Sequence, residues 1–481
     1  MTPGLRPRLV EALRGRACPV IFADDDVIPA ASLWIGSRHW VNAFRAAGLR
    51  PGDRLVLALP ASAPFVQVLI AALWEGLTVA PVPAGSDPET MLDELDARVA
   101  VVAQSSGALS GILDVTGRPG PGSGRPGVWT ADGVSGPARD IGVVRRATQP
   151  RTPEAALLLS TSGTTGRPRW IALSDRNVCA VLDSHQPRFG LSGAYVVSVL
   201  PWHHAFGLIL DLLPALLAGS YIARDPQCGR DPLALAALLR RAPAVLSAVP
   251  HTITMLAALD DGEALLAGLA GGTIGGAQVS NDLAAMLERT ALRVGYGQTE
   301  ASPGIALGEP GRWKAGLLGR PVGCEVRLVD GALEFRGENA CIGEWGAGGF
   351  VQLDPGRWVA TGDAVEQIDG ELFYRGRVVN NFKLANGRWI ETSTLEPAIR
   401  EALQLATDVV LFTAAGSTLD VVVVLPADRA WNAGAQHEAI RRALGHLGHL
   451  LGHVHLIDPA AVVRDTKGAI DRRATVEQLR G

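Results

Sequence analysis

Lysine is nearly absent. Among the 44 basic residues of this 481-residue chain, only Lys314, Lys383 and Lys467 are lysine, and the rest are arginine. With its abundant Ala, Gly and Pro, the bias fits a GC-rich coding sequence and has no function of its own. Cysteine is scarce too. Cys18, Cys179, Cys228, Cys324 and Cys341 are odd in number, widely spread and form no CxxC pair, which argues against a disulfide framework or a zinc ribbon. A formal net charge of −4 gives no field for holding nucleic acid or anionic lipid. The N-terminal stretch "MTPGLRPRLVEALRGR" lacks the apolar centre of a signal peptide. The longest apolar run, "GLILDLLPALLAGSYIA" (207–223), is interrupted by Asp211, Pro214 and Gly219. A membrane span needs about 20 apolar residues, so this run reads as a buried helix passing into a strand, and the cytoplasm is the expected location.

What is present is globular. Apolar residues make up 47% and charged ones 19%, and the length exceeds one compact core, so several subdomains are expected. The stretch "RLVLALPASAPFVQVLIAALWEGLTVAPVP" (54–83) reads as strand, helix, strand. Pro60 ends the first strand, while Phe65, Leu69, Ala72 and Leu73 share one helical face, which predicts a βαβ unit with a parallel sheet. "TGRPGPGSGRPG" (116–127) predicts an exposed loop. From 155 to 330 strands and helices alternate, as in doubly wound α/β layers. Near residue 377 the texture changes to a small α+β unit. No internal repeat is visible.

The strongest local signal is "AALLLSTSGTTGRPRWIALS" (155–174), in which two strand-like runs flank a turn rich in Gly, Ser and Thr. A solvated hairpin would also look like this, and the Walker pattern GxxxxGK[ST] is not met. Such a turn nevertheless exposes backbone N–H groups as an anion-binding nest, and Arg167 and Arg169 add positive charge beside it.

Residues Thr161 to Pro168 match the TSGTTGxP string of adenylate-forming enzymes, the superfamily of acyl-CoA synthetases, firefly luciferase and nonribosomal peptide adenylation domains; Arg169 stands where that family usually has lysine. The resemblance extends over nearly the whole chain. It implies that Thr161, Ser162, Gly163, Thr164, Thr165 and Gly166 hold phosphate. "LPWHHAFGL" (200–208) resembles a PxxHxxG segment and implies that His204 borders the carboxylate pocket; a satisfied buried histidine is the alternative. "GGAQVS" (275–280) resembles the adenine-binding segment, so that Gly275, Gly276 and Ala277 would lie against the base. "GYGQTE" (295–300) implies Tyr296 stacked on adenine, Gly297 and Gln298 in the same nucleotide-binding turn, Thr299 on the α-phosphate and Glu300 on Mg2+. "WVATGDAVEQIDGELFYRGR" (358–377) implies that Asp363 accepts from both ribose hydroxyls and that Arg377 reaches the same sugar.

Three places depart from the family pattern. Val379 occupies the hinge position usually held by Asp or Lys. "FKLANGRWIETSTLE" (382–396) carries an extra residue, although Gly387 keeps the close approach that a CoA pantetheine tunnel needs in relatives. Most consequential, "RDTKGAIDRR" (464–473) ends like the family's GKIDRR motif but has Ala469 at the position of the adenylation lysine. Three readings stay open: the lysine is lost, Lys467 has taken its place from two residues away, or the alanine is an introduced replacement.

"HEAIRRALGHLGHLLGHVHL" (437–456) holds five of the ten histidines. His446, His449 and His453 have helical spacing that could hold a metal, while Leu444, Leu447, Leu451 and Val454 on the opposite face predict an ordinary amphipathic helix with a solvated histidine face.

The expected fold is α/β: a large N-terminal domain of doubly wound layers (1–376) holding the AMP and acyl sites, and a small mobile C-terminal α+β lid (377–481) hinged near Val379. The expected function is an acyl-CoA ligase that passes an acyl group from an acyl-adenylate to CoA and releases AMP, with adenylation lost or impaired. Residues from Trp202 to Leu210 suggest an apolar acid. The overall pattern is similar to ligases of antibiotic pathways of the platensimycin/platencin type, which handle a bulky diterpenoid acid. A separate adenylating enzyme would then be a partner. The alternatives are a complete ATP-dependent acyl-CoA synthetase and a catalytically silent AMP- or acyl-adenylate-binding protein.

Overall fold

The computed structural model describes residues 4–15, 19–22, 27–103, 112–113, 128–129, 141–145, 154–161, 169–346, 348–378, 380, 382–386, 388–404, 406, 408–414, 416–463 and 470–479. The predicted loop 116–127 lies outside them. The chain forms two compact units, one of Met1–Val326, Phe335–Val359 and Gly370–Leu372, the other of Arg327–Glu334, Ala360–Asp369 and Phe373–Gly481. The expected boundary at 376 falls within strand Glu371–Arg377.

In the first unit the predicted βαβ is present. Strand β1 (Arg54–Ala58) is followed by helix α1 (Ala63–Trp74) and strand β2 (Thr78–Pro81), which pairs parallel to β1. Strands β3 (Val99–Ala103), β4 (Ile141–Arg145), β5 (Ala155–Thr161) and β6 (Arg169–Ser174) extend the same eight-stranded sheet. Both faces of β1 are covered. Leu55 and Leu57 pack into one apolar cluster, whereas Val56 and Ala58 pack into another with Leu158 and Trp170. This is why the strand reads as an uninterrupted apolar run rather than an alternating one. Helix α2 (Asp175–His185) begins directly after β6, where Ser174 and Asn177 form a reciprocal capping box.

A second sheet contains β7 (Tyr195–Ser198), β8 (Tyr221–Arg224) and β9 (Ala244–Ser247), all parallel, with β7 in the middle. The apolar run 207–223 does become a buried helix and a strand, but its first part, Phe206–Leu212, is a π-helix. Only then does α3 (Leu213–Ala218) follow, closed by Gly219 in the left-handed conformation at φ 68°. Strands β10 (Gly272–Ile274) and β11 (Leu292–Tyr296) pair parallel, and bridges Val245–Gly271 and Ala248–Ile274 join them to β9.

The second unit is α+β. Helix α4 (Thr392–Leu403) and helix α5 (Ala433–Ala443) cover a three-stranded sheet of β12 (Asp408–Phe412), β13 (Leu419–Val424) and β14 (Leu451–Ile457). Their core comprises Ile399, Leu411, Val421, Val423 and Ile440. The histidine segment is not one helix. Helix α5 stops at Ala443, Gly445 takes φ 56°, and residues from Leu451 form β14. Glycines at 445, 448 and 452 override the helical spacing, because each lowers helix stability by about 1 kcal/mol relative to alanine. Among the described residues no group of three His, Cys, Asp or Glu is placed to hold a metal ion, and no helix is long and apolar enough to cross a membrane.

Candidate active site

The hairpin of β5 and β6 presents the glycine-rich turn. Thr161 pairs with Arg169 in the antiparallel register, and Leu159 with Ile171, so both ends of the turn are fixed by buried strands. Ser162, Gly163, Thr164, Thr165 and Gly166 lie outside the described residues. At the foot of the turn the Arg169 guanidinium donates to Glu300 Oε1 at 2.8 Å and lies 3.4 Å from Glu344 Oε1. The cation in the lysine position is thus held by the carboxylate expected to face a metal. Glu344 was invisible to sequence reasoning because no motif contains it.

His204 and His203 open the turn into the π-helix. Their rings stand 4.4 Å apart at 48°. His204 is exposed, contrary to the buried alternative, and His203 is the more enclosed of the two. Burial, then the neighbouring His204 and Arg224, push the His203 pKa down to about 4, so the imidazole is neutral at physiological pH. Phe206, one turn on, faces Gly275: a Cβ there would sit 3.6 Å from Phe206 Cε1 and 2.7 Å from the Gly295 carbonyl oxygen. Gly276 has φ 84°, which favours glycine, and Ala277 beside it is exposed.

Tyr296 closes β11, and Gly297, Gln298, Thr299 and Glu300 follow in a tight turn ending at Ser302, φ 59°. Gly297 cannot be replaced without rebuilding this turn, since a Cβ would fall 1.4 Å from the Pro303 carbonyl oxygen. The turn is tied down by Ser302 Oγ donating to Asn339 O (2.8 Å) and by Asn339 Nδ2 donating to Gly304 O (2.8 Å). Tyr296 to Glu300 are all half-buried, at the rim rather than in the core.

In the second unit Arg377 donates to Asp363 Oδ1 at 2.9 Å and to the Thr361 carbonyl at 3.0 Å. Asp363 is 8% exposed, and its backbone N–H donates to Thr361 Oγ1 (3.1 Å), which fixes the backbone beneath the carboxylate. Tyr374, raised to about 12 by burial and then by Asp363, stays a phenol. Gly387 and Ala469 lie outside the described residues. Their flanks are fixed. Asp471 N donates to Val463 O at 2.8 Å and caps helix α6 (Arg472–Gln478). Arg472 Nη1 donates to Glu396 Oε2 at 2.6 Å.

Sequence reasoning placed Trp202 beside the acid. The structure buries it at 1% exposure, with its indole N–H donating to Ser198 Oγ at 3.0 Å, so Trp202 belongs to the core. It also missed the carboxyl of Asp211, treated only as a break in the apolar run. Asp211 is buried, and Ser198 Oγ donates to its Oδ2 at 2.5 Å.

Glycine-lined turns at the ends of parallel strands, with an arginine–carboxylate pair beside them, describe a nucleotide-handling α/β protein. The chain belongs to the family of AMP-binding enzymes, which it matches over residues 31–344, and thus to the adenylate-forming superfamily. It is 27% identical to phenyloxazoline synthase MbtB of Mycobacterium sp. (strain MCS), over 91% of this chain but 39% of that protein, so it spans well under half of that relative. It is 28% identical to an anthranilate–CoA ligase of Pseudomonas aeruginosa, covering 76% of this chain and 74% of the ligase. In fold it resembles the crystal structure of ATP-bound MatB from Rhodopseudomonas palustris, with a TM-score of 0.76 at 20% identity over 100% of this chain and 99% of that one.

Proposed function

We propose that this protein is an acyl-CoA ligase working mainly in the second half-reaction. It binds the adenylate of a largely apolar carboxylic acid and transfers the acyl group to CoA. The thiolate sulfur of CoA attacks the acyl carbonyl carbon, a C–S bond forms, and the bond from that carbon to the phosphate oxygen breaks. AMP leaves with the electron pair, and the thiol proton passes to solvent.

The observation that carries the nucleotide half of this reading is the Arg169–Glu300 pair at 2.8 Å beside the β5–β6 turn. A guanidinium and a carboxylate there suit a phosphate chain and its counter-cation. The donor chemistry of Glu300 fits Mg2+, a hard cation that takes one or two carboxylates together with phosphate oxygens; when bound it would neutralise phosphate charge. Asp363 would accept from the ribose hydroxyls with Arg377 fixing its orientation, and Tyr296, Gly275, Gly276 and Ala277 would hold the base. Thr161 to Gly166 and Thr299 would hold phosphate, and Gly387 would face the pantetheine. His204, exposed at the entrance, would border the acyl carboxyl carbon. The CoA step follows from the likeness to an anthranilate–CoA ligase, and the loss of adenylation from Ala469. A separate adenylating enzyme would supply the substrate.

The test is direct. The protein is incubated with CoA and a panel of acyl-adenylates, and in parallel with the free acids, ATP and Mg2+, and acyl-CoA is read by mass spectrometry. Thioester from adenylates alone is the expected result. Equal yield from free acids would make it a complete synthetase, and no thioester from either would leave a binding protein. A companion prediction concerns Arg169. Its side chain is 50% exposed, and exposed ion pairs contribute about 0–1 kcal/mol, so Arg169→Ala should barely change Tm. Nucleotide affinity should fall about tenfold, one charge-assisted hydrogen bond, with Arg169→Lys restoring most of it in a calorimetric titration.

A further inference from the structure

A row of polar side chains crosses the parallel strands beyond the glycine-lined face. In register, Arg224 on β8 stands beside Ser198 on β7, and Ser198 beside Ser247 on β9. The bridges Val245–Gly271 and Ala248–Ile274 carry the register on, placing Ser247 beside Thr273 of β10, and Thr273 pairs with Arg293 of β11. Residues paired this way point to the same face of a sheet. An apolar strand core has no need of five polar residues in line; Arg224, Ser198 and Ser247 end their strands, and the residues just before them, Ile222–Ala223, Val196–Val197 and Val245–Leu246, are apolar.

The π-helix Phe206–Leu212 lies over this row. Its wide turn sets Asp211 on Ser198, and only one carboxyl oxygen is used there: among the described residues the Asp211 side chain makes no other hydrogen bond. Asp211 is 3% exposed, yet it lines a cavity of about 160 Å3 together with Leu210, Ser247, Thr273 and Arg293. Leu191, Val196 and Val245 add apolar wall, and the exposed Arg188 lines its outer side. Burial pushes the Asp211 carboxyl up to about 7, against the pull of Ser198 and Arg224, so near neutrality it can donate as well as accept.

Strand β10 links this cavity to the candidate acyl site. Thr273 and Gly275 are two residues apart on one strand and so share a face, about 6–7 Å from one another. Gly275 is the residue that Phe206 covers. Leu210 and Asp211 follow Phe206 by one π-helical turn. A group lying beside Gly275 and Phe206 would need to extend about 6–7 Å along β10 to meet the cavity.

We infer that the cavity bounded by Asp211, Ser247, Thr273 and Arg293 receives the far end of the acyl group, and that the preferred acid has an apolar body ending in a hydroxyl. The inference rests on the acyl-adenylate reading above and narrows its substrate class. Asp211 is then a specificity residue rather than a catalytic one, since it touches the tail and not the reacting carbon. A hydroxyl suits the site because it donates one hydrogen bond and accepts another, matching a carboxyl at one side and Thr273 or Arg293 at the other. An acid with a methyl in that place would leave these groups dry and unpaired, which favours the hydroxyl strongly.

The test uses non-hydrolysable acyl-sulfamoyl adenosines, prepared as a graded series of ω-hydroxyalkanoyl chains and their alkanoyl partners, titrated calorimetrically into the whole protein. At the best chain length the hydroxylated probe should bind about tenfold or more tightly than its partner. Asp211→Leu and the near-isosteric Thr273→Val should each erase most of that preference while binding AMP as the parent does, and the AMP control shows that each variant is folded. Equal binding of hydroxylated and plain probes at every length would overturn this inference and leave the ligase reading intact. Failure of every probe and of AMP to bind would overturn the ligase reading itself. Retention of the preference in both variants would place the hydroxyl elsewhere and reject the cavity.

Discussion

Replacing Ala469 with lysine is expected to raise conversion of free acid and ATP to adenylate by about 10²–10³-fold, the value of one preorganised cation at a developing oxyanion. The rate of thioester formation from a supplied adenylate should stay within a factor of a few, because the adenylation lysine of the family serves the first step. The anchor for this prediction is the segment's frame. Asp471 N is bonded to Val463 O, Asp471 caps α6, and Arg472 is clamped by Glu396, whose carboxylate also receives the Leu411 N–H at 2.6 Å. Glu396 is enclosed enough for burial to raise its pKa despite that arginine, so a half-buried pair holds Arg472 in place. By the resemblance of the letters IDRR (470–473) to the family's closing motif, Ala469 is expected at the lysine position. Lys467 would have to reach across two residues, about 6–7 Å of extended chain. ATP–pyrophosphate exchange measures the gain, and Lys467→Ala is the control. Loss of exchange in Lys467→Ala, with no gain from Ala469→Lys, would show that the lysine has moved rather than vanished.

Local signals gave up the fold more readily than the site. The βαβ unit at 54–83 was legible because an apolar strand, a proline stop and a helical face follow each other within thirty residues. The nucleotide motifs were legible as strings with a fixed order. Arg169 could be read as a cation near phosphate, but not as a partner of Glu344, since the hairpin that joins them lies 175 residues further along. The polar row was unreadable for the same reason: Arg224, Ser198, Ser247, Thr273 and Arg293 come from five strands, and only parallel register sets them side by side. In one dimension the Asp211 carboxylate is only an interruption of an apolar run. In three dimensions it is a buried group with a cavity in front of it. The histidine segment failed in the opposite way, its helical spacing being cancelled by glycines that end the helix at Ala443.

That buried carboxyl also makes a prediction about stability. In the unfolded chain Asp211 titrates near the model-peptide value of 3.8, while in the folded protein burial raises it to about 7. Between those values the folded state keeps the proton and the unfolded state has released it, so stability falls as pH rises through this window. About three pKa units correspond to ~4 kcal/mol, fully imposed above pH 7 and absent below about pH 4. His185 acts in the opposite sense: burial lowers it to about 4, so its contribution is lost as pH falls from about 6.5. Between about pH 4 and about pH 6.5 the two slopes oppose each other and largely cancel, so the Asp211 arm shows only as a difference between wild type and a variant that lacks it. Asp211→Asn removes one arm of this profile while keeping an oxygen for the Ser198 hydroxyl. Urea unfolding of wild type and variant at about pH 5 and about pH 8 should show the variant gaining ~2–3 kcal/mol relative to wild type at the higher pH. A stability difference that is the same at both pH values would mean that Asp211 is already ionised in the folded protein. It would then meet a ligand as a fixed anion, and an amine rather than a hydroxyl would be the tail it selects.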